Sequence, residues 1–372
     1  MITIKEMISK KEMKSFVKFP FKLYKNNKYW IPPIINDEVD SFDNKLNPVF
    51  QHATARFFVA FKNDEIVGRV AAIINDTEVK VQKLKKMRFG WFDFIDDFEV
   101  SKMLLNKVQE IGLQNSLEFM EGPVGFSNLD KVGVLTEGFD QIGTMVTWYN
   151  HPYYKNHFEK LGFTIEKEYL ENKFPFKNVK IEPLEKITRI LKKRYKLKEL
   201  NFTRTKDVLP YVDKMFDLFN ESYAALPSFV PISGIEKDYF KKKYISFINP
   251  EYIKFVVDYN DNMIGFAITM PSFSRALQKA KGKILPLGIF HLLKAKKNNK
   301  DAIFYLIGVH PEYQNKGIHA VLFTEFQKSF EKIGVENCIR TPELASNHAI
   351  AAVWKNFDSK TYKRRATFRK NI

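Results

Sequence analysis

Residues 308–323 read GVHPEYQNKGIHAVLF. Upstream, AIFYLIGV (302–309) is an apolar run of strand composition, and downstream the apolar positions recur at helical spacing to about residue 333. Between them lie a proline, a polar stretch and Gly317. A strand that breaks through a short polar loop into a helix makes an anion site. The N–H groups of the first helical turn have no acceptor within the helix, and the helix dipole favours negative charge there. Gly317 lets the backbone approach such a ligand with no Cβ in the way.

Further out, the chain repeats itself. FVAFKNDEIVGRVAAI (58–73) and FVVDYNDNMIGFAITM (255–270) are 197 residues apart. Each reads as an apolar strand, an Asn-Asp turn and a second strand with a glycine in the same place, which is hairpin chemistry. At the same offset Asn150-His151 matches Asn347-His348. These pairs open NHPYYKNHFEKLGF, ending at Phe163, and NHAIAAVWKNF, ending at Phe357, both of helical spacing. The pattern predicts a divergent tandem duplication. The first half continues with a strand near 88–95, a helix near 98–113, a strand near 117–121 and a glycine-rich loop over 122–143. The second continues with the opening strand, loop and helix, a strand at 336–341 and a helix from Asn347. TYKRRATFR, near the end, is expected to form a last strand. The fold class expected is α/β (α+β): two tandem domains, 1–175 and 176–372, each a mixed, mostly antiparallel sheet flanked by helices.

With 372 residues, 45% of them hydrophobic, the chain is long enough for two cores. Its net charge of +17 suggests an anionic partner. The single cysteine, Cys338, excludes a disulfide framework and a Cys-based metal site, and the seven histidines are scattered, so no metal is expected. A reducing, cytoplasmic setting fits. The first residues carry charges throughout and do not read as a signal peptide. No apolar run reaches the roughly 18 residues of a membrane span.

The longest apolar run, ILPLGIFHLL (284–293), sits in an insertion over 271–300. Arg275, Lys279, Lys281 and Lys283 precede it; Lys294, Lys296, Lys297 and Lys300 follow. An apolar segment with basic flanks suits a membrane surface, a lid over a long acyl chain, or a helical pair packed on its own domain. Elsewhere the basic residues are dispersed, with no nucleic-acid-binding motif, so nucleic acid is not an expected partner.

Val309, Pro311, Gln314 and Gly317 form the pattern V-x-P-x-x-Q-x-x-G. In this order of elements it resembles the GCN5-related N-acetyltransferase (GNAT) superfamily, with the motif in the second half only. The resemblance implies coenzyme A, as acyl-CoA, for the acyl donor. Its pyrophosphate would lie on the backbone N–H groups of Asn315, Lys316, Gly317, Ile318 and His319, with Gln314 bracing the loop and Asn347 reaching the pantetheine or a water. It implies acyl transfer to an amine, with the Val309 N–H as oxyanion donor and Glu343 or His348 as proton acceptor; His310 and Glu312 flank the loop.

Two positions depart from the family pattern. His319 stands where a small residue is usual. Trp354 stands where an aromatic proton donor is expected, leaving Tyr362 as a weak substitute. In the first half the corresponding stretch is IDDFEVSK (95–102), where Asp96, Asp97 and Glu99 would repel a pyrophosphate. One donor site is therefore expected, in the second half. The loop over 122–143 is expected to shape an acceptor cleft, with Glu137 and Asp140 receiving a cationic amine, or else to be a plain connection. The tandem layout, the insertion and LIGVHPEYQNKG (306–317) look most like acyltransferases that include bacterial ceramide synthases, which implies a long acyl chain and a sphingoid-type amine. Two readings follow: an acyl-CoA-dependent N-acyltransferase, cytoplasmic and peripheral at the membrane, or a non-catalytic acyl-CoA- or membrane-binding regulator on the same scaffold.

Overall fold

A computed structural model describes residues 1–226, 229–245, 248–354 and 357–372. Lys355 and Asn356, within the second Asn-led segment, lie outside the described residues. The strands, in chain order, are β1 (Ile2–Glu6), β2 (Ala53–Lys62), β3 (Glu65–Asn75), β4 (Lys86–Phe94), β5 (Phe119–Gly122), β6 (Val134–Glu137), β7 (Thr164–Pro175), β8 (Lys198–Asn201), β9 (Ile253–Val257), β10 (Met263–Pro271), β11 (Asp301–Val309), β12 (Asn337–Leu344) and β13 (Lys360–Asn371).

These elements form two compact units. The first holds residues 1–170, 274–291 and 362–372; the second holds 171–273 and 292–361. The sequence reading divides the chain at 175 and keeps 271–300 and the tail with the second half. In the structure most of that insertion, and the tail, pack with the first unit. Backbone hydrogen bonds show why. β13 pairs antiparallel with β5 and β6. The Gly282 carbonyl accepts from the Ile35 N–H at 2.9 Å, and Gln278 Nε2 donates to the carbonyls of Lys28 (2.8 Å) and Trp30 (3.0 Å).

In the first unit the strand order is β1-β2-β3-β4-β5-β13, with β4 and β5 parallel and the other neighbours antiparallel. In the second it is β8-β9-β10-β11-β12, with β11 and β12 parallel. The same five-strand pattern thus occurs twice. Parallel neighbours need a crossover, and the helices Phe98–Gln114 and His319–Ile333 supply the two.

The hairpins differ at their turns. Asn63 (φ 51°) and Asp64 (φ 61°) make the two-residue turn that the Asn-Asp pair predicts. Between β9 and β10 the turn is longer, because the Asp258 carboxylate accepts from the N–H groups of Asn260 (2.8 Å) and Asn262 (2.9 Å) and builds its own loop.

The apolar alternation of β2 feeds both faces of the first sheet. Phe58 packs with Phe89, Phe94, Leu104 and Phe158, while Phe57 and Val59 pack with Phe16, Phe42 and Trp91. In the second unit Phe174, Phe304, Phe323, Trp354 and Phe357 form one aromatic cluster, with Phe323 and Phe357 centroids 4.7 Å apart. Much of the chain's phenylalanine lies in these two cores.

Candidate functional site

The parallel register of β11 and β12 runs from Asp301 opposite Asn337 to Phe304 opposite Arg340. Beyond it no further β11–β12 pairs form, which leaves a gap in the ladder beside the end of β11. On its other side β11 stays paired with β10 as far as Val309 opposite Gly265, and the His310 N–H donates to Ile264 O at 2.9 Å. Antiparallel strands turn alternate residues to opposite edges, so the N–H and C=O of Val309 point into the gap. The Val309 carbonyl accepts from Gln314 Nε2 at 3.3 Å. The Ile307 carbonyl, on the same edge, accepts from the Tyr223 hydroxyl at 3.1 Å.

Past Val309 comes a single turn, Pro311–Tyr313, and then the loop. Asn315 (φ 59°) and Gly317 (φ 87°) are both left-handed. A Cβ on Gly317 would meet Ile187 and Leu191 at 3.6 Å, an ordinary contact. Glycine is needed here for its backbone angle and for access from the loop's open side, not for room within the fold. The helix His319–Ile333 begins after Ile318 with no side-chain cap. Among the described residues the N–H groups of Asn315, Gly317, Ile318 and His319 meet no acceptor, while that of Lys316 reaches Tyr313 O at 3.3 Å. The Lys316 ammonium rests over the rings of Tyr313 (5.2 Å) and Tyr195 (5.6 Å). Four unclaimed amides and a held cation make a cradle for a polyanion. His319 opens the helix half-buried, its ring 6.1 Å from that of Phe323. Burial pushes its pKa down, so at neutral pH it adds no charge to the cradle.

The other candidates are placed as follows. Glu343 is ion-paired with Arg340, whose Nε lies 3.0 Å away. Burial lifts the Glu343 pKa and Arg340 opposes the rise. Arg340 in turn packs its guanidinium on the Trp354 ring at 4.5 Å. Asn347 Oδ1 accepts from the Ile350 N–H at 3.2 Å, so Asn347 caps its helix. His348 is exposed at the start of that helix. Trp354 is buried among the phenylalanines, and Tyr362 lies on β13 in the first unit. His310 Nδ1 accepts from the Glu312 N–H at 3.3 Å, and its Nε2 faces Glu221 at 3.7 Å.

Tyr223 is the residue the sequence reading missed. It ends the helix Thr205–Tyr223 within ESYAAL, which carries no motif. Only the packing of that helix against β11 brings its hydroxyl to the gap. Burial pushes its pKa up to about 12, with the Glu343 charge adding to the rise and the bond to Ile307 opposing it.

The first unit repeats this geometry and closes it. The Ile95 N–H donates to Val67 O at 3.0 Å, which makes Phe94 the counterpart of Val309. The Phe94 N–H, however, donates to the Tyr154 hydroxyl at 3.1 Å, and its carbonyl accepts from Tyr153. Asp97 caps the following helix by accepting from the Glu99 N–H (3.1 Å) and pairs with Lys62 (2.9 Å). Counted from Asn150 and Asn347, the position of Tyr154 is held in the second unit by Ala351.

Glu137 and Asp140 are exposed, and Glu137 is already paired with Arg364 at 3.2 Å. Gly138 (φ 82°) packs a Cβ-sized space against Tyr362 O, so this stretch lies tightly on β13. Ser101, His157 and Asp96 line up at 2.8 and 2.9 Å like a nucleophile with its base. Ser101 is fully buried, though, and donates to Phe98 O, so the trio locks a helix start and offers no nucleophile. Among the described residues no group of three or more His, Cys, Asp or Glu side chains gathers as a metal site, and no helix is long and apolar enough to cross a membrane.

No family model matches the chain. Protein YghO of Escherichia coli K12 is 23% identical over 376 residues, 99% of this chain and 95% of its own length. A bacterial ceramide synthase of Caulobacter vibrioides is 24% identical over 314 residues, covering 82% of this chain and 79% of that protein. Among solved structures, a tandem GNAT protein from the clavulanic acid biosynthesis pathway covers 100% of this chain and 98% of its own, at 10% identity and a TM-score of 0.60. A GCN5-related N-acetyltransferase from Sphaerobacter thermophilus covers 100% and 95%, at 9% identity and a TM-score of 0.50. The twice-built five-strand pattern and these whole-chain likenesses agree: the chain has the tandem GNAT fold.

Proposed function

We propose that the protein is an acyl-CoA-dependent N-acyltransferase whose donor binds in the second unit. The observation that carries this is the asymmetry between two copies of one geometry. In the first, Tyr154 takes the N–H of Phe94 and Asp97 caps the helix. In the second, Val309 lies past the last β11–β12 pair and the loop and helix amides are unclaimed. An anionic pyrophosphate fits the cradle at 315–319, and a thioester fits the gap beside Val309.

The chemistry follows from those groups. A neutral amine forms an N–C bond to the thioester carbonyl, and the charge that develops on the oxygen meets the Val309 N–H. The C–S bond then breaks. The proton shed by the amine passes to Glu343, whose raised pKa suits a base. The departing thiolate takes a proton from the Tyr223 hydroxyl, and the proton held by Glu343 returns to the tyrosinate through solvent, so both groups are restored. The likeness to a ceramide synthase supports a long acyl chain and a lipid amine as the substrates. A second reading, a non-catalytic acyl-CoA-binding regulator, draws on Trp354 being sealed in the core and on His319 at the cradle.

Calorimetric titration with coenzyme A, acetyl-CoA and palmitoyl-CoA tests the site, with Gly317→Trp as the control that puts an indole at the cradle's glycine. All three are expected to bind the native protein and none the variant. Release of free thiol from palmitoyl-CoA on addition of a long-chain amino alcohol separates the readings: release supports the enzyme, while binding without release supports the regulator. Failure of all three to bind overturns both.

A further inference from the structure

The insertion after β10 leaves an apolar surface that neither core uses. Leu285 is 73% exposed, Leu287 67%, Phe290 66% and Leu293 52%. Large apolar side chains exposed singly are ordinary, whereas four within nine residues form a patch. The segment does not simply hang from the fold. Ser274 donates to Gly143 O at 2.8 Å, Gln278 to Lys28 and Trp30, and Gly282 (φ 79°) seats its carbonyl on the Ile35 N–H. Anchored there, the chain turns outward through Leu285–Leu287 and starts the helix Gly288–Lys297 with Leu292 buried beneath it. Phe290, Leu293, Lys294 and Lys297 follow at helical spacing and share the outward face.

Charge identifies what covers this patch. Residues 271–300 hold eight lysines and arginines and no aspartate or glutamate. Arg275, Lys279, Lys281 and Lys283 precede the apolar side chains in the chain and Lys294 and Lys297 follow them, and all six are exposed. We infer that residues 283–297 dock the protein on an anionic lipid bilayer, with Leu285, Leu287, Phe290 and Leu293 entering the headgroup–acyl boundary and the lysines meeting the lipid phosphates. An exposed apolar segment with basic flanks matches that interface on both counts. A second copy matches it poorly, since two-fold pairing would set one cationic segment against another. The inference stands apart from the acyltransferase reading and does not need the donor site.

The test is co-sedimentation of the full chain with vesicles of phosphatidylcholine alone and of an equal mixture of phosphatidylcholine and phosphatidylglycerol, at low and high salt. Two variants accompany it, Leu287→Ser with Phe290→Ser, and Lys294→Glu with Lys297→Glu. Circular dichroism melts check that both variants stay folded. Binding is expected on the mixed vesicles only, weakened by salt and by about tenfold or more in each variant. Equal binding to both vesicle types overturns the role of charge, and no binding overturns the proposal outright. A native protein that self-associates without lipid, and is monomeric once the two serines are introduced, assigns the patch to a second copy and likewise overturns it. Coenzyme A binding by the same variants is expected to be unchanged, so failure here leaves the donor site standing.

Discussion

Tyr154 and Ala351 stand at matching positions after matching asparagines, and only the phenol brings a hydroxyl to the strand end beside it. The Tyr154 hydroxyl both accepts from the Phe94 N–H and lies 3.1 Å from the Tyr24 hydroxyl, so it belongs to a buried polar chain that ends on Asp93 and Arg69. Ala351 has nothing to offer the Val309 N–H. In the second unit the hydroxyl at the gap comes from Tyr223, and replacing it tests the proposed proton transfer. Tyr223→Phe is expected to lower kcat about a hundredfold while coenzyme A affinity stays within about twofold. If the hydroxyl only ties helix to strand, stability falls by about 1 kcal/mol and kcat holds. Lys254 gives a pH test of a different kind. Its buried ammonium is bonded to Asn201 Oδ1 and Ser329 Oγ, both at 2.7 Å, and burial pulls its pKa down to about 8. An unfolded lysine titrates near 10.4. Between these values the unfolded chain holds a proton that the folded one has lost, so stability rises with pH across that window and the burial penalty is constant below it. Urea unfolding at about pH 7 and about pH 9.5 is expected to show this rise in the native protein and to lose it in Lys254→Met.

Two helices that follow parallel-crossover strands begin in opposite ways, and the contrast is a matter of which residue precedes them. Asp97 turns its carboxylate back on the Glu99 N–H, so the first helix satisfies its own dipole. Ile318 has no such group, and the second helix starts with no side-chain cap. Asp97→Ala is therefore expected to cost about 1 kcal/mol of stability with no effect on coenzyme A binding, read by thermal melt and titration. Lys316→Glu sets a carboxylate where the cradle holds a cation, and is expected to weaken coenzyme A binding about tenfold with little change in stability. At this scale the sequence was readable wherever an element depends on its neighbours in the chain. Asn63-Asp64 turns a hairpin, a helix follows the acidic stretch at 96–99, and the cradle loop follows its strand. The second hairpin turn was less readable, because the Asp258 side chain bonds two amides ahead of it and lengthens the loop. β6, inside a stretch read as plain loop, could not be seen at all, since Val134–Glu137 becomes a strand by pairing with residues more than two hundred positions away.

Within the first unit, four charges are buried together and a fifth, that of Lys167, is half-buried beside them. Lys86 meets Glu78 (2.5 Å) and Glu121 (3.3 Å), Arg88 meets Glu78 (2.6 Å), and Lys167 meets Glu121 (2.5 Å). The network joins β4, β5, β7 and the turn Thr77–Val81, and Arg88 also donates to the carbonyls of Gly125 and Phe126. Burial would raise both carboxyl pKa values, yet the surrounding cations hold them low. Glu121→Gln would leave the buried Lys86 and the half-buried Lys167 without their shared partner, and is expected to cost about 3–5 kcal/mol, measured by denaturant unfolding. None of these charges announces itself in the sequence, where they read as part of a basic chain. By itself the sequence determined the tandem repeat, the hairpins, the cradle loop and the lack of one in the first half, because each rests on residues close in the chain and on backbone rules that need no tertiary context. Tertiary structure alone decided that β13 and residues 274–291 join the first unit, that Tyr154 seals one gap while Tyr223 reaches the other, and that Trp354 belongs to the core. Those outcomes depend on contacts between distant segments, and the energy of such contacts comes from burial and hydrogen bonding that exist only once the segments have met.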